Sequence, residues 1–191
     1  MRTVSNNIDN EIEVKNSRFI CYIYRINSNS IDNYLDDIKK SHPKATHYCY
    51  GYIYDDIKKS SDDGEPGGTA GTPILNVLEK ENLNHILVIV VRYFGGIKLG
   101  AGGLVRAYTK SVTEALKKVF YVNLIKGFKI SVSFNYNEEK NINYILKDSS
   151  IIKKEYSDNI YYECLVDKDI LDKLGFFNPK IIEEIYIEKN S

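Results

Sequence analysis

Apolar and polar positions along the first two thirds of the chain predict three strands and three helices. Residues 17–26 (SRFICYIYRI) and 45–54 (ATHYCYGYIY) alternate between two faces, as strands do. Residues 85–94 (HILVIVVRYF) form a continuous apolar run that is typical of a buried central strand. Apolar residues three and four positions apart predict helices that begin near Ser28 or Ser30, near Thr72, and after the glycines around residue 100. For the second helix we predict Thr72 as the N-cap and Pro73 as the first helical residue.

The last third of the chain alternates in the order βαββαβ. The predicted elements are strands at residues 128–134, 151–156, 160–166 and 181–187 and helices at 138–146 and 168–176. This order, over about 60 residues, indicates a ferredoxin-like sandwich, a shape that many binding modules share. Lys126 and Gly127 are predicted to form a short linker. The sequence therefore predicts an α+β protein with domains at residues 1–125 and 126–191.

A glycine-rich and basic segment follows the central strand. Five glycines fall within nine residues, and residues 92–118 carry six cationic residues and one acidic residue, a formal charge of +5. Backbone N–H groups in a glycine loop and at a helix N-terminus attract phosphate or carboxylate, and lysine and arginine add the opposite charge. We therefore predict that this segment binds an anion or nucleic acid through Arg92, Gly95, Gly96, Lys98, Gly100, Gly102, Gly103 and Arg106.

A second glycine-rich loop, SDDGEPGGTAGTP at residues 61–73, carries Asp62, Asp63 and Glu65. Two interpretations of these carboxylates stay open. Adjacent carboxylates could hold Mg²⁺ beside a phosphate and so support phosphoryl transfer or hydrolysis. Asp62 and Asp63 could instead cap turns or pair with Arg92 or Arg106 and so tie the two loops together. Under either interpretation we expect the two loops to lie on one face of the molecule.

The strand at residues 45–54 places His47 and Cys49 on one face and a row of tyrosines on the other. His47 and Cys49 could bind a metal, but two ligands are too few unless Asp62 or Asp63 joins them. As core residues they would need no ligand, since cysteine is among the most buried residue types. The tyrosine row can stack nucleic-acid bases, as in sheet-based RNA readers, or it can pack as a half-buried sheet face: Tyr48, Tyr50, Tyr52 and Tyr54.

Composition excludes several classes of protein. The 191 residues are 43% hydrophobic and 27% charged, as in ordinary globular proteins, and the balance of 26 basic and 26 acidic residues requires any nucleic-acid contact to use a local patch. No stretch approaches the roughly 20 apolar residues that span a bilayer, and the first residues lack an apolar signal core, so we expect a cytoplasmic protein without membrane contact. The three cysteines match no zinc pattern, so we expect reduced thiols and no bound metal.

Four motifs in order resemble the IMPACT and YigZ family of translation-associated proteins: SRF from residue 17, HYCYGY from residue 47, SDDGEPGGTAGTPIL from residue 61 and VVRYFGGIKLGAGGLVRAY from residue 90. The resemblance is strong up to about residue 122, and the tail fits the small C-terminal domain of bacterial members. In the acidic motif it marks Asp62, Asp63, Glu65, Thr69 and Gly71. Gly67 and Ala101 depart from the family, which usually has Ser or Ala and Thr there, so a hydroxyl nucleophile at either position is not required.

The resemblance implies that the first domain has the fold of the second domain of a small-subunit ribosomal protein, and that the tail resembles the fifth domain of elongation factor G. It implies RNA, the ribosome or a translation-regulatory protein as partner, with no specificity for DNA. The sequence has no Walker-type P-loop and no nucleophile elbow. We therefore favour a translation-associated binding protein that needs no cofactor. The alternative is a metal-dependent phosphoester or nucleotide-processing enzyme that uses the acidic loop.

Overall fold

Strand β6 (Ile86–Tyr93) is the centre of a five-stranded antiparallel sheet in the computed structural model, which describes residues 1–189. The sheet belongs to the first of two compact units, Met1–Val122. Its strands in spatial order are β2 (Ile8–Val14), β3 (Ser17–Arg25), β6, β4 (His47–Tyr54) and β5 (Ile57–Ser61). The same unit contains the short strand β1 (Arg2–Val4) and the helices α1 (Asp32–Ser41), α2 (Gly71–Lys80) and α3 (Ala101–Leu116).

Both faces of this sheet are covered, because every residue of β6 from Ile86 to Arg92 is buried. On one face, Val88 and Val90 belong to a core that includes apolar residues of α2 and α3. On the opposite face, Leu87 and Ile89 belong to a second core that includes Ile38 of α1. The continuous apolar run therefore forms the doubly covered central strand that the sequence predicts.

The tyrosine row of β4 packs into the second core. Tyr52 is only 3% exposed, and the other three tyrosines are half-buried members of the same cluster. The Tyr54 hydroxyl donates to the carbonyl oxygen of Asn27 at 2.8 Å, and the Tyr48 hydroxyl donates to the carbonyl oxygen of His42. This geometry agrees with the packing interpretation of the row, because the rings contribute much of their surface to the core.

The second unit, from Asn123 onward, contains four strands of an antiparallel arrangement and a core of its own. These strands are β7 (Tyr121–Phe134), whose first two residues precede the unit, β8 (Ser150–Tyr156), β9 (Ile160–Asp167) and β10 (Lys180–Lys189), and their spatial order is β10, β7, β9, β8. Helices α4 (Glu139–Ile145) and α5 (Lys168–Lys173) supply the two helical connections. The alternating burial of β9 places Tyr162 and Cys164 in the core with Ile142 of α4. The predicted order βαββαβ and the α+β class are confirmed.

The predicted linker at Lys126 and Gly127 is wrong. Both residues lie inside β7, where Gly127 is opposite Asp167 of β9 and Ile185 of β10, and Lys126 is opposite Tyr186. A glycine beside a lysine is typical of a flexible linker, but here the pairing of Gly127 with both β9 and β10 fixes its backbone. Residues 190 and 191, which the predicted second domain includes, lie outside the described residues.

All three cysteines are free thiols and buried. Burial raises the pKa of the Cys21 thiol well above its usual range, the pKa of Cys49 to about 12 and the pKa of Cys164 to about 11. Among residues 1–189, no helix has both the length and the apolar character needed to cross a bilayer.

Candidate functional site

A buried ion pair connects the acidic loop to the strand that precedes the basic loop. The Nη1 atom of Arg92 lies 2.6 Å from Oε1 of Glu65, and both side chains are almost fully buried, with exposed fractions of 6% and 3%. The Tyr108 hydroxyl of α3 donates to the same carboxylate oxygen at 2.8 Å. Glu65 therefore connects β6 to α3, the two elements that flank the basic glycine loop.

The interpretation that the acidic loop ties the two loops together agrees with this geometry, but the carboxylate that pairs with arginine is Glu65. Arg92 was predicted to bind an external anion, and the structure places it in the interior with its charge already paired. Its Nε atom is buried without a hydrogen-bond partner, and its guanidinium lies near the rings of Phe19 and Phe94 at 5.4 and 5.6 Å. Arg92 therefore stabilises the two loops from inside the protein, through its ion pair with Glu65.

Asp62 organises the acidic loop and the start of α2. Its carboxylate accepts hydrogen bonds from the backbone N–H groups of Gly68, Ala70 and Gly71 at 2.8 to 2.9 Å. The predicted N-cap at Thr72 is wrong, because the helix begins at Gly71 and its first N–H groups bond to a carboxylate from earlier in the loop. A remote aspartate here performs the role that an N-cap side chain usually has.

Asp62 is also the basis of a pH-dependent prediction. Burial raises the pKa of this carboxyl, but the hydrogen bonds from Gly68, Gly71 and Ala70 outweigh burial and hold the pKa below its usual value. A lowered pKa in the folded state stabilises the fold above the unfolded-state pKa of about 3.9, and this stabilisation is lost as the pH falls through the folded-state value. Asp62→Asn should lower the free energy of unfolding by about 1 to 2 kcal/mol at neutral pH. Urea denaturation of both proteins should show this difference shrinking below about pH 4.

Asp36→Asn is the matched control, because Asp36 is exposed on α1. It should change stability little across the same pH range. An Asp62→Asn difference that stays constant down to the acid limit would contradict the role assigned to this carboxylate.

The other predicted residues of the acidic loop and of β4 also have internal partners. The Asp63 carboxylate accepts from the backbone N–H of Tyr48 at 2.6 Å, and the Asp63 carbonyl oxygen lies 2.7 Å from Nδ1 of His47. Cys49 contacts the Tyr108 hydroxyl at 3.2 Å and the Asp62 carbonyl oxygen at 3.0 Å. The core interpretation therefore fits Cys49, whereas His47 is half-buried at the loop.

Thr69 and Gly71 fix the exit of the acidic loop. The Thr69 hydroxyl donates to the carbonyl oxygen of Pro66 at 2.6 Å. A Cβ atom at Gly71 would lie 2.7 Å from the backbone of Ser61, a separation that real Cβ atoms do not show. Gly71 is therefore required for the close approach of β5 and α2.

The basic glycine loop is fixed at its base and open at its tip. The N–H of Gly95 donates to the Ser17 hydroxyl at 3.1 Å, and a Cβ at Gly95 would lie 2.0 Å from the Asn16 carbonyl oxygen. Gly96 and Gly100 have φ values of 85° and 71°, and a Cβ on either would meet no atom within 4 Å. These two glycines allow turns that other residues adopt only with strain.

The remaining predicted residues lie on the outside of this loop and the first turns of α3. Lys98 and Arg106 are exposed, Gly102 is exposed beside the Arg106 guanidinium, and Gly103 contacts the Leu99 side chain. Val105, which the helical spacing predicts on the buried face of α3, is exposed. The surface formed by residues 94–106 is called the glycine-loop surface below.

Sequence reasoning missed Tyr108 as a partner of Glu65 and Ser17 as a support of Gly95. The apolar spacing of α3 marks Tyr108 as buried, but no sequence signal gives the partner of its hydroxyl. Ser17 lies in the SRF motif, which was a usable signal. Within residues 1–189, no group of three or more His, Cys, Asp or Glu side chains is arranged to hold a metal ion.

Comparisons with known proteins find a matching family model, similar sequences and a similar structure. Residues 15–116 match the family model described as the Impact N-terminal domain. The chain is 42% identical over 172 residues to the Bacillus subtilis protein "IMPACT family member YvyE", covering 87% of this chain and 79% of that protein. It is 34% identical over 152 residues to the Escherichia coli protein "IMPACT family member YigZ", covering 75% and 74%. A crystal structure described as a hypothetical protein has a TM-score of 0.67 and 26% identity, covering 100% of this chain and 97% of the other.

Proposed function

This chain belongs to the IMPACT family, and from that premise we propose that it is a cytoplasmic, translation-associated regulatory protein that acts by binding. Its binding site is the glycine-loop surface, and its target is a component of the translation apparatus that carries negative charge. The observation that carries the proposal is that Lys98 and Arg106 are both exposed, Lys98 on the loop and Arg106 in the first turns of α3, while the N–H of Gly95 fixes the base of the loop by its hydrogen bond to the Ser17 hydroxyl. A fixed cationic surface attracts anionic partners without a large ordering cost.

The strand order of the second unit supports this proposal. In the second unit, the spatial order β10, β7, β9, β8 with two helical connections is the order expected of a ferredoxin-like sandwich, and we propose the likeness to the fifth domain of elongation factor G on this basis. For the first unit we propose the fold of the second domain of a small-subunit ribosomal protein. Such likenesses give a direction for function and do not by themselves assign it.

Binding is favoured over catalysis because the acidic loop uses its carboxylates inside the protein. Asp62 accepts three backbone N–H groups, and Glu65 accepts from Arg92 and Tyr108. A magnesium site would have to break these hydrogen bonds, at a cost in stability. The same contacts explain the acidic motif as a support for the neighbouring surface.

Co-sedimentation with ribosomes across a salt series tests the proposal. Binding should weaken steadily as salt rises, because contacts with phosphate release counterions. The double variant Lys98→Glu/Arg106→Glu should lower binding at least about tenfold. Lys44→Glu/Lys140→Glu is the matched control, since these lysines are exposed outside the glycine-loop surface. Absent or salt-insensitive binding, or equal losses in both double variants, would overturn the proposal.

A further inference from the structure

The glycine-loop surface exposes apolar side chains as well as cations. Phe94 is 48% exposed, Ile97 46% and Val105 37%. They lie in one short segment, with Lys98 and Arg106 between and beside them. Apolar side chains this exposed and this close along the chain mark a surface that gains free energy when a partner covers it.

The segment is held in place before any partner arrives. The N–H of Phe94 donates to the Thr46 hydroxyl at 3.0 Å, and the N–H of Leu104 donates to the Gly100 carbonyl oxygen at 2.9 Å. Leu99 lies against the first turn of α3, with its Cβ atom 3.0 Å from the position that a Cβ on Gly103 would occupy. A surface fixed in this way loses little conformational entropy on binding.

The charge of the segment selects an acidic partner. Among the ion pairs of residues 1–189, none includes Lys98 or Arg106, so both cations are available to carboxylates from another molecule. Residues 94–106 contain no acidic side chain. Electrostatic complementarity of this kind speeds encounter and excludes basic partners.

The side-chain chemistry favours a protein segment over RNA. Residues 94–106 (FGGIKLGAGGLVR) contain no Ser, Thr, Asn or Gln side chain to read base edges. Phe94 is the one aromatic ring of residues 94–106 on which a base could stack, whereas Ile97 and Val105 cannot stack and are stabilised when apolar side chains cover them. We propose that the glycine-loop surface binds an acidic protein segment whose apolar side chains cover Phe94, Ile97 and Val105. This inference rests on the proposed function and names the chemistry of the partner.

Selection from a random-peptide display library, with the full chain immobilised, tests the inference. The selected peptides should be enriched in Asp and Glu together with Leu, Ile, Phe or Trp. Ile97→Ser should weaken binding of a selected synthetic peptide about tenfold, as should Lys98→Glu. Ile152→Ser is the matched control, because Ile152 is 52% exposed in the second unit, and it should leave binding unchanged.

A parallel titration with oligouridylate RNA separates the two classes of partner. Selected peptides that bind the Ile97→Ser variant as well as they bind the unchanged protein, or a selection without acidic and apolar enrichment, would overturn the inference. RNA that binds through Lys98 and ignores Ile97, together with a failed selection, would do the same and assign the surface to nucleic acid. Ribosome co-sedimentation retained under either result leaves the proposed function standing, whereas absent co-sedimentation with peptide binding intact overturns the proposed function and leaves the acidic protein segment as the partner of this surface.

Discussion

Replacing Gly95 with alanine should destabilise the first unit by about 3 kcal/mol, because a Cβ atom there has no room. The added carbon would lie 2.0 Å from the carbonyl oxygen and 2.1 Å from the carbonyl carbon of Asn16, and 2.5 Å from the Ser17 nitrogen. These are backbone atoms of the β2–β3 turn and of the first residue of β3, and no rotamer change can move them aside. Urea denaturation followed by far-ultraviolet circular dichroism should show the loss as an earlier transition.

Gly67→Ala is the matched control in the other glycine-rich loop. A Cβ at Gly67 would meet no atom within 4 Å. The substitution should leave stability unchanged or raise it by about 0.4 to 1 kcal/mol, since it restricts the unfolded chain. Equal effects of the two substitutions would show that the close approach at Gly95 does not limit stability.

Glu65→Gln should be the second strongly destabilising change, at about 3 kcal/mol. Glutamine keeps the shape of the side chain and its acceptor for the Tyr108 hydroxyl, but it removes the charge that compensates the buried guanidinium of Arg92. An uncompensated buried charge costs more than the ion pair contributes when it is intact. Equilibrium denaturation of both proteins measures the difference.

Two further variants determine how much of this loss belongs to the pair. Glu65→Gln/Arg92→Met removes both charges, so its destabilisation should be smaller than the sum of the single changes. Glu11→Gln breaks an exposed pair with Arg18, in which 43% and 49% of the two side chains are exposed, and it should have little effect. A Glu65→Gln protein as stable as Glu11→Gln would show that the buried pair has no structural importance.

Sequence patterns predict the elements well where burial alone decides them. The run at residues 85–94 becomes the buried strand β6, and the alternating run at residues 160–166 becomes β9, which alternates between buried and half-buried residues. In these segments the apolar period and the tertiary environment agree, so local reasoning is sufficient. The motifs likewise locate both glycine-rich loops before any geometry is known.

The sequence does not determine which side chains form ion pairs and hydrogen bonds with each other. Glu65 and Arg92 are 27 positions apart, and the sequence predicts Asp62 or Asp63 as the partner of the same arginine. A local rule predicts Thr72 as the N-cap of α2. In the fold, the carboxylate of Asp62 accepts hydrogen bonds from the backbone N–H groups of Ala70 and Gly71, which lie eight and nine residues later in the chain. Lys126 and Gly127 were assigned to a linker for the same reason. Each outcome depends on chain segments that only the folded structure brings together.

The three buried thiols give this protein a built-in reporter of local opening. Cys21 and Cys49 lie in the core that Val88 and Val90 share with α2 and α3, and Cys164 lies in the core of the second unit, so alkylation of any one requires its surroundings to separate transiently. The rate at which each thiol is alkylated in the native protein therefore measures how often that core opens. Mass spectrometry of the modified peptides would measure local opening in each of the two units separately, in a single sample and without an engineered cysteine.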